Sequence, residues 1–340
     1  MDNADEIMNR LQKKYGAGLA MKGSGIKSVE LERISTGSLS LDIECGGGMP
    51  LGRIIEWYGA ESSGKTTMAL KLIANVQKLG KKAVYIDVEN TWDSKWAELM
   101  GVDIANLIYS RPETSEQAVE VLEAFVRSGD CGIVVLDSVA AMSPQSELEK
   151  SVVDDVEKIG ERALLMNRAI RRLSAALNSL NENNDWNNCI VLLINQIRLK
   201  IGIVYGDPET TPGGMGIRFA ASLRVRFKHG EWIEEDNAAG DKIKVGHVIK
   251  FLTKKNKTYS PYREGQFTLY FQGPLHGQVD TLEEIVRYGT LYDLIHRSGS
   301  VYTYEDIKAN GLKNFVAVVR SDPKLVAKMT KEILGFVRQQ

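Results

Sequence analysis

The chain runs to 340 residues, 43% of them hydrophobic, with 43 basic against 44 acidic side chains and a net charge of −1. That apolar content suffices for one large core and a smaller appended unit. The balanced charge excludes a global electrostatic pull toward nucleic acid or membrane, so any such affinity has to reside in a local patch.

Cys45, Cys131 and Cys189 are odd in number and widely spaced, which fits reduced core thiols in a reducing compartment rather than disulfides or zinc ligands. His229, His247, His276 and His296 lack metal-ligand spacing and read as structural or solvent-facing. The N-terminus is acidic, and no apolar run approaches the roughly 20 residues that cross a bilayer, so a cytoplasmic location is expected.

Residues 3–15 place Ile7, Met8, Leu11 and Tyr15 on one helical face, and a Gly- and Ser-containing connector follows to Gly25. Such an arm folds back on its own core or docks on a neighbouring subunit. From 28 to about 228, short apolar strands alternate with helical patterns, which predicts an α/β fold with a mostly parallel sheet flanked by helices. Strands are expected at 53–58, 83–87, 132–136 and 189–194, and each leads into a polar residue or glycine. A Thr-x-x-Gln capping box opens a helix at Thr114, and another helix is expected over 162–180. The runs 219–227, 245–252 and 267–271 read as strands that extend the sheet with antiparallel pairs. Beyond about 273, short helices with turns at Gly299 and Gly311 and a final basic amphipathic helix over 323–338 suggest a small separate domain.

The first of these strands leads into Gly59-Ala60-Glu61-Ser62-Ser63-Gly64-Lys65-Thr66, a phosphate loop followed by Thr67 and a helical pattern to Leu79. Gly59 and Gly64 let the backbone curl with its N–H groups inward, Lys65 reaches the β- and γ-phosphates, and the Thr66 hydroxyl holds Mg²⁺. The phosphates would then sit on a helix N-terminus. A nucleoside triphosphate is the expected ligand.

Parallel strands deliver their carboxyl ends to one edge of a sheet, where ligands of open α/β folds bind. Asp137 closes an apolar strand and orients the Mg²⁺ shell in this reading; alone, it would equally suit a buried structural aspartate. Glu89, two residues past the strand end at Asp87, is the candidate base for the attacking water, with Asp87 read as structural. Asn195 and Gln196 offer amides to a γ-phosphate oxygen, and a satisfied core amide is the plainer role for Gln196. The segment 197–214, rich in glycine with cations and aliphatics, lacks a helix or strand pattern. Arg198 and Lys200 suit phosphates and Ile201 and Ile203 suit bases, whereas a simple surface loop is the alternative.

These motifs closely resemble the bacterial RecA recombinase family. The likeness is carried by Ile34-Ser-Thr-Gly-Ser-Leu-Ser-Leu-Asp-Ile43, the phosphate loop, Ile86-Asp-Val-Glu89, Val135-Leu-Asp-Ser-Val-Ala-Ala141, Ile194-Asn-Gln-Ile-Arg-Leu-Lys-Ile-Gly202, Asp207-Pro-Glu-Thr-Thr-Pro-Gly-Gly214 and Lys255-Asn-Lys257. The resemblance implies a RecA-type nucleotide-hydrolase core over 31–272, an N-terminal helical arm over 1–30 and a small C-terminal α/β domain over 273–340. It implies a DNA-dependent ATPase that uses ATP and Mg²⁺, coats single-stranded DNA as a helical homo-oligomeric filament and pairs it with a homologous duplex. Mediator or single-strand-binding proteins are further partners of such a filament.

Residue by residue, the resemblance makes Glu89 the catalytic glutamate, Gln196 the γ-phosphate sensor, and Lys255 and Lys257 cations that reach a neighbour's γ-phosphate. Asp93, Trp96 and Phe271 would contact the nucleotide. Arg198, Leu199, Lys200, Ile201, Gly202, Ile203, Thr210, Gly213, Gly214 and Arg171 would contact DNA, and Arg218 and Phe219 would lie at the subunit interface. Three departures stand out: an acidic segment over 147–160, an Asn-rich insert over 181–188, and a basic C-terminal helix where relatives end in an acidic tail. They suggest a divergent member, such as a phage-encoded one. A hexameric DNA helicase or motor on the same core, and a nucleotide-gated interaction protein, are the alternatives.

Overall fold

The computed structural model describes residues 3–15, 20, 22, 31–148, 160–179, 186–199, 206 and 208–339. Two compact units divide the chain, 1–32 and 33–340. In the first, α1 (Ala4–Tyr15) begins with a reciprocal cap: Glu6 N donates to Asn3 Oδ1 at 2.9 Å and Asn3 N to Glu6 Oε2 at 2.9 Å. Asp5 and Glu6 in its first turn and Lys13 and Lys14 in its last complement the helix dipole.

The second unit is built on an eight-stranded sheet. Its strands are β1 (Ile54–Gly59), β2 (Lys82–Asp87), β3 (Leu107–Ser110), β4 (Cys131–Asp137), β5 (Ile190–Gln196), β6 (Leu223–Asp236), β7 (Lys242–Asn256) and β8 (Glu264–Tyr270). Their order is β8-β7-β6-β1-β5-β4-β2-β3; the pairs from β6 to β3 are parallel, and β6–β7 and β7–β8 are antiparallel.

Alternation along the strands splits the apolar residues between two cores. Ile55, Trp57, Ile133, Val135, Leu192 and Ile194 face α3 (Lys65–Lys78), which contributes Met68, Leu72, Ile73 and Val76. Ile54, Val134, Leu136, Val191 and Leu193 share the opposite core with α5 (Ser115–Ser128) and α6 (Glu161–Leu177). Two shorter helices, α2 (Leu39–Glu44) and α4 (Ser94–Leu99), flank the strands. All three cysteines are buried.

The hairpin β6–β7 differs from the expected pair of short strands. Phe219 does not begin β6; it belongs to α7 (Met215–Ala220), which Gly214 opens at φ 78°. Thereafter β6 and β7 run on as a ribbon past the sheet, and the Asn237 side chain closes its turn by accepting from Ala239 N and Asp241 N, each at 2.9 Å.

After β8 come α8 (Thr281–Leu291), a three-stranded antiparallel sheet of β9 (His296–Ser298), β10 (Val301–Tyr304) and β11 (Ile307–Asn310), then α9 (Leu312–Arg320) and α10 (Pro323–Gln339). The small sheet replaces part of the expected helical run, because Val301-Tyr302-Thr303-Tyr304 alternates β-branched and aromatic residues after a turn at Gly299. These elements share a third core that also takes Leu39 and Ile43 from α2. Glu284 of α8 accepts from Ser38 Oγ at 2.6 Å and from Leu39 N and Ser40 N at 3.0 Å, tying α8 to the start of α2. Burial outweighs those three donors and pushes Glu284 up to about 7. Among the described residues no helix is long and apolar enough to cross a membrane.

Candidate functional site

The phosphate loop is pressed against β6 and β7. A Cβ on Gly59 would fall 2.3 Å from Phe227 O, and one on Gly64, at φ 85°, would fall 2.3 Å from Ile249 Cδ1. Only glycine fits both positions. Ala60, Glu61 and Ser62 are exposed, whereas Ser63 is buried and its hydroxyl donates to Ala60 O at 2.8 Å. The Lys65 ammonium lies over the loop, donating to Gly59 O at 3.2 Å, Ala60 O at 2.7 Å and Ser63 Oγ at 3.3 Å. Burial lowers its pKa, and the nearby carboxylates of Asp137, Glu89 and Glu61 oppose that shift.

Thr66 follows at the start of α3, and its hydroxyl donates to Asp137 Oδ2 at 2.7 Å. Tyr85 of β2 donates to the same oxygen at 2.8 Å. Desolvation nevertheless pushes Asp137 up to about 6, outweighing the Thr66 and Tyr85 hydrogen bonds and the Lys65 charge. The Thr66 hydroxyl and the Asp137 carboxylate offer oxygen donors alone, which fits Mg²⁺.

Glu89 meets this pair from the next strand end. Its Oε1 accepts from the Ser138 hydroxyl and from Gln196 Nε2, the latter at 3.2 Å. Asp87 behaves otherwise: fully buried, it accepts from Trp92 N at 3.1 Å and Tyr109 Oη at 3.0 Å, the bonding of a structural carboxylate. Asp93 caps α4 by accepting from Trp96 N at 3.1 Å, and Trp96 Nε1 reaches Thr67 Oγ1 at 3.4 Å. The Trp96 ring also lies 5.8 Å from that of His276. Phe271 packs instead on the β6–β7 ribbon, against Trp232 and His247 at 6.2 Å each. Of that segment, His276 and not Phe271 meets Trp96.

The chain leaves β5 at Gln196 and enters a two-stranded ribbon in which Arg198 pairs with Thr210 and Leu199 with Glu209. Arg198 and Leu199 are exposed. Thr210 Oγ1 accepts from Arg218 Nη2 at 2.9 Å, and Pro212 O accepts from Asn195 Nδ2 at 2.9 Å, so the two ends of the loop are tied together. Gly213, at φ 87°, would clash with Ile217 through any Cβ, and Gly214 approaches Ala163 of α6. Lys200, Ile201, Gly202 and Ile203 lie outside the described residues, as do 149–159 of the acidic segment and 181–185 of the Asn-rich insert. Arg171 is exposed on α6.

Lys255 and Lys257 stand elsewhere. Lys255 Nζ donates to Arg218 O at 2.6 Å and Phe219 O at 2.9 Å, and Lys257 Nζ to Phe219 O at 3.3 Å. Lys257 N bonds Ser222 O, and Ser222 N bonds Ile54 O, so Lys257 sits level with the start of β1, while Lys255 pairs with Arg224 level with Glu56. The phosphate loop leaves the other end of β1, roughly 17 Å along the strand from the level of Lys257 and roughly 10 Å from that of Lys255. Both ammonium groups bond to carbonyls of α7 rather than to the phosphate loop. Burial, then repulsion from Lys257 and Arg224, lowers Lys255 to about 8. Beside them Phe219 is 69% exposed and Met215 54%, an apolar patch next to two cations.

A family model of the RecA N-terminal domain matches residues 3–275. The chain belongs to the RecA family. It is similar to Protein RecA of Clostridium acetobutylicum, 39% identical over 305 residues that make up 89% of this chain and 82% of that protein. Within this RecA-family chain, the segment 34–43 proves to be a structural lock: Asp42 accepts from Ser35 Oγ at 2.5 Å, Thr36 N at 2.8 Å and Thr36 Oγ1 at 2.7 Å.

Sequence reasoning missed Ser138, Tyr85 and Glu56. Ser138 directly follows Asp137 at the strand end, which was a usable signal. Tyr85 and Glu56 lie inside apolar strands, and nothing local marks their side chains as part of a polar network.

Proposed function

We propose that this chain is an ATP-dependent homologous recombinase, which assembles on single-stranded DNA as a filament and couples DNA binding to ATP hydrolysis. One observation carries the reading. Lys65, the Thr66–Asp137 pair, Glu89 and Gln196 come from four strand ends to one edge, and Gln196 leads straight into the Arg198 ribbon.

In this reading Lys65 exchanges its loop carbonyls for phosphate oxygens, and Thr66, with Asp137 acting through water, would hold Mg²⁺, which would neutralise charge on the phosphates. Glu89 takes the proton of the attacking water, with Ser138 fixing its carboxylate. Gln196 divides its amide between Glu89 and the γ-phosphate, so the nucleotide state sets the position of the ribbon. Trp96 offers a stacking face to the base. Lys255 and Lys257 act on the phosphate of a neighbouring copy, since they lie away from their own, and the Met215–Phe219 patch joins that interface. The segment after about 273 serves as a small accessory domain, and the setting is the cytoplasm.

Electron microscopy with single-stranded DNA and a non-hydrolysable ATP analogue tests the proposal. A helical coat is expected; a closed ring would favour a hexameric motor, and free monomers would reject both.

A further inference from the structure

The nucleotide chemistry leaves one wholly buried carboxylate unexplained. Glu56 lies in the middle of β1, on the face that otherwise carries apolar Ile54, Val191 and Leu193. Its Oε1 accepts from Asn195 Nδ2 at 3.0 Å, and its Oε2 from Arg224 Nε at 2.5 Å. A buried ion pair is a weak stabiliser, because desolvation cancels much of the attraction, so stability alone does not account for it.

Each partner leads to a different end of the machine. Asn195 immediately precedes Gln196 and donates to Pro212 O at 2.9 Å, where the DNA loop returns. Arg224 lies opposite Lys255 in the β6–β7 ladder, with its guanidinium 4.7 Å from the centre of the Tyr58 ring. The Lys255 ammonium in turn holds the last carbonyls of α7.

Resting on the recombinase reading above, we propose that Glu56 is a positioning residue that couples the strand end at Asn195 and Gln196 to Arg224 and Lys255 on the interface side. In the low-dielectric interior the carboxylate cannot release Arg224 without leaving a buried charge uncompensated. A shift of β5 when Gln196 changes partner is therefore passed across β1 to β6 and β7 rather than absorbed. Among the described residues the hydrogen bonds of Glu56 go to Asn195 and Arg224, which lie in neither the phosphate loop nor the segment 197–214.

Glu56→Gln keeps an acceptor for Asn195 and removes the charge facing Arg224. The full chain is assayed for ATP hydrolysis with and without a saturating poly(dT) oligonucleotide. DNA-stimulated kcat is expected to fall about tenfold, with KM for ATP and the DNA-free rate within about twofold of the parent. Glu56→Asp, which keeps the charge, is expected to recover part of the stimulation. Unchanged stimulation overturns the proposal, as does a KM that rises while the DNA-free rate falls in step with kcat. Should Glu56→Gln not melt cooperatively, Arg224→Lys is held to the same two outcomes. A parent protein without DNA stimulation would instead reject the recombinase reading.

Discussion

Gln196 Nε2 donates to Glu89 Oε1 across 3.2 Å and so joins the ends of β5 and β2, which are separated in the sheet by β4. The proposed catalytic base and the last residue of β5, two before Arg198, thus share a hydrogen bond. Gln196→Ala removes the donor without disturbing Lys65 or Asp137. The ATP-dependent gain in single-stranded DNA affinity should then drop about tenfold or more while nucleotide affinity holds. Anisotropy of a labelled oligonucleotide, with and without a non-hydrolysable analogue, measures both, and an undiminished gain rejects the sensor role.

Glu89→Ala leaves the phosphate loop, Thr66 and Asp137 intact. ATP turnover should fall by about a hundredfold or more, while ATP-bound filaments persist on DNA. Parent-level turnover would return the base assignment to another group.

Lys65→Ala removes a cation that interacts with the Asp137 and Glu89 carboxylates together with three hydrogen bonds inside the loop. Nucleotide binding and hydrolysis should both be lost, yet the core should still fold, because its apolar clusters do not depend on this side chain. Circular dichroism alongside a fluorescent-nucleotide titration separates the two effects.

Arg198→Ala combined with Lys200→Ala should weaken single-stranded DNA binding and flatten its salt dependence, by roughly 0.7 in log–log slope for each phosphate contact removed. An identical slope would take the loop out of the DNA interface.

Glu284 carries the clearest pH signature. Its folded pKa of about 7 lies above the ordinary glutamate value, so the folded chain binds this proton more tightly than the unfolded chain. The associated stability is present at acidic pH and is lost as pH rises through about 7. Its size is on the order of 3 kcal/mol. Urea midpoints at pH 5 and pH 8 should differ less in Glu284→Gln than in the parent; equal differences would refute the assignment.

The strand-to-loop-to-helix run at Gly59 to Thr66 was legible because its chemistry is local: glycines where the backbone turns, a lysine and a hydroxyl at fixed offsets. Asp137 and Glu89 were legible for a related reason, since carboxylates at the ends of apolar strands must fall at one sheet edge. The start of β6 was misread because the apolar stretch after Gly214 suits helix and strand alike, and a glycine at positive φ settled it as α7 first.

Sequence by itself determined the fold class, the phosphate loop and the family, all of which rest on patterns within short windows. Only the tertiary structure decided that Lys255 and Lys257 bond to carbonyls of α7, that Glu56 joins Asn195 to Arg224, and that His276 meets Trp96. Those relations depend on which strands become neighbours and in what register, and pairing between segments up to some 170 residues apart leaves no mark in either segment alone.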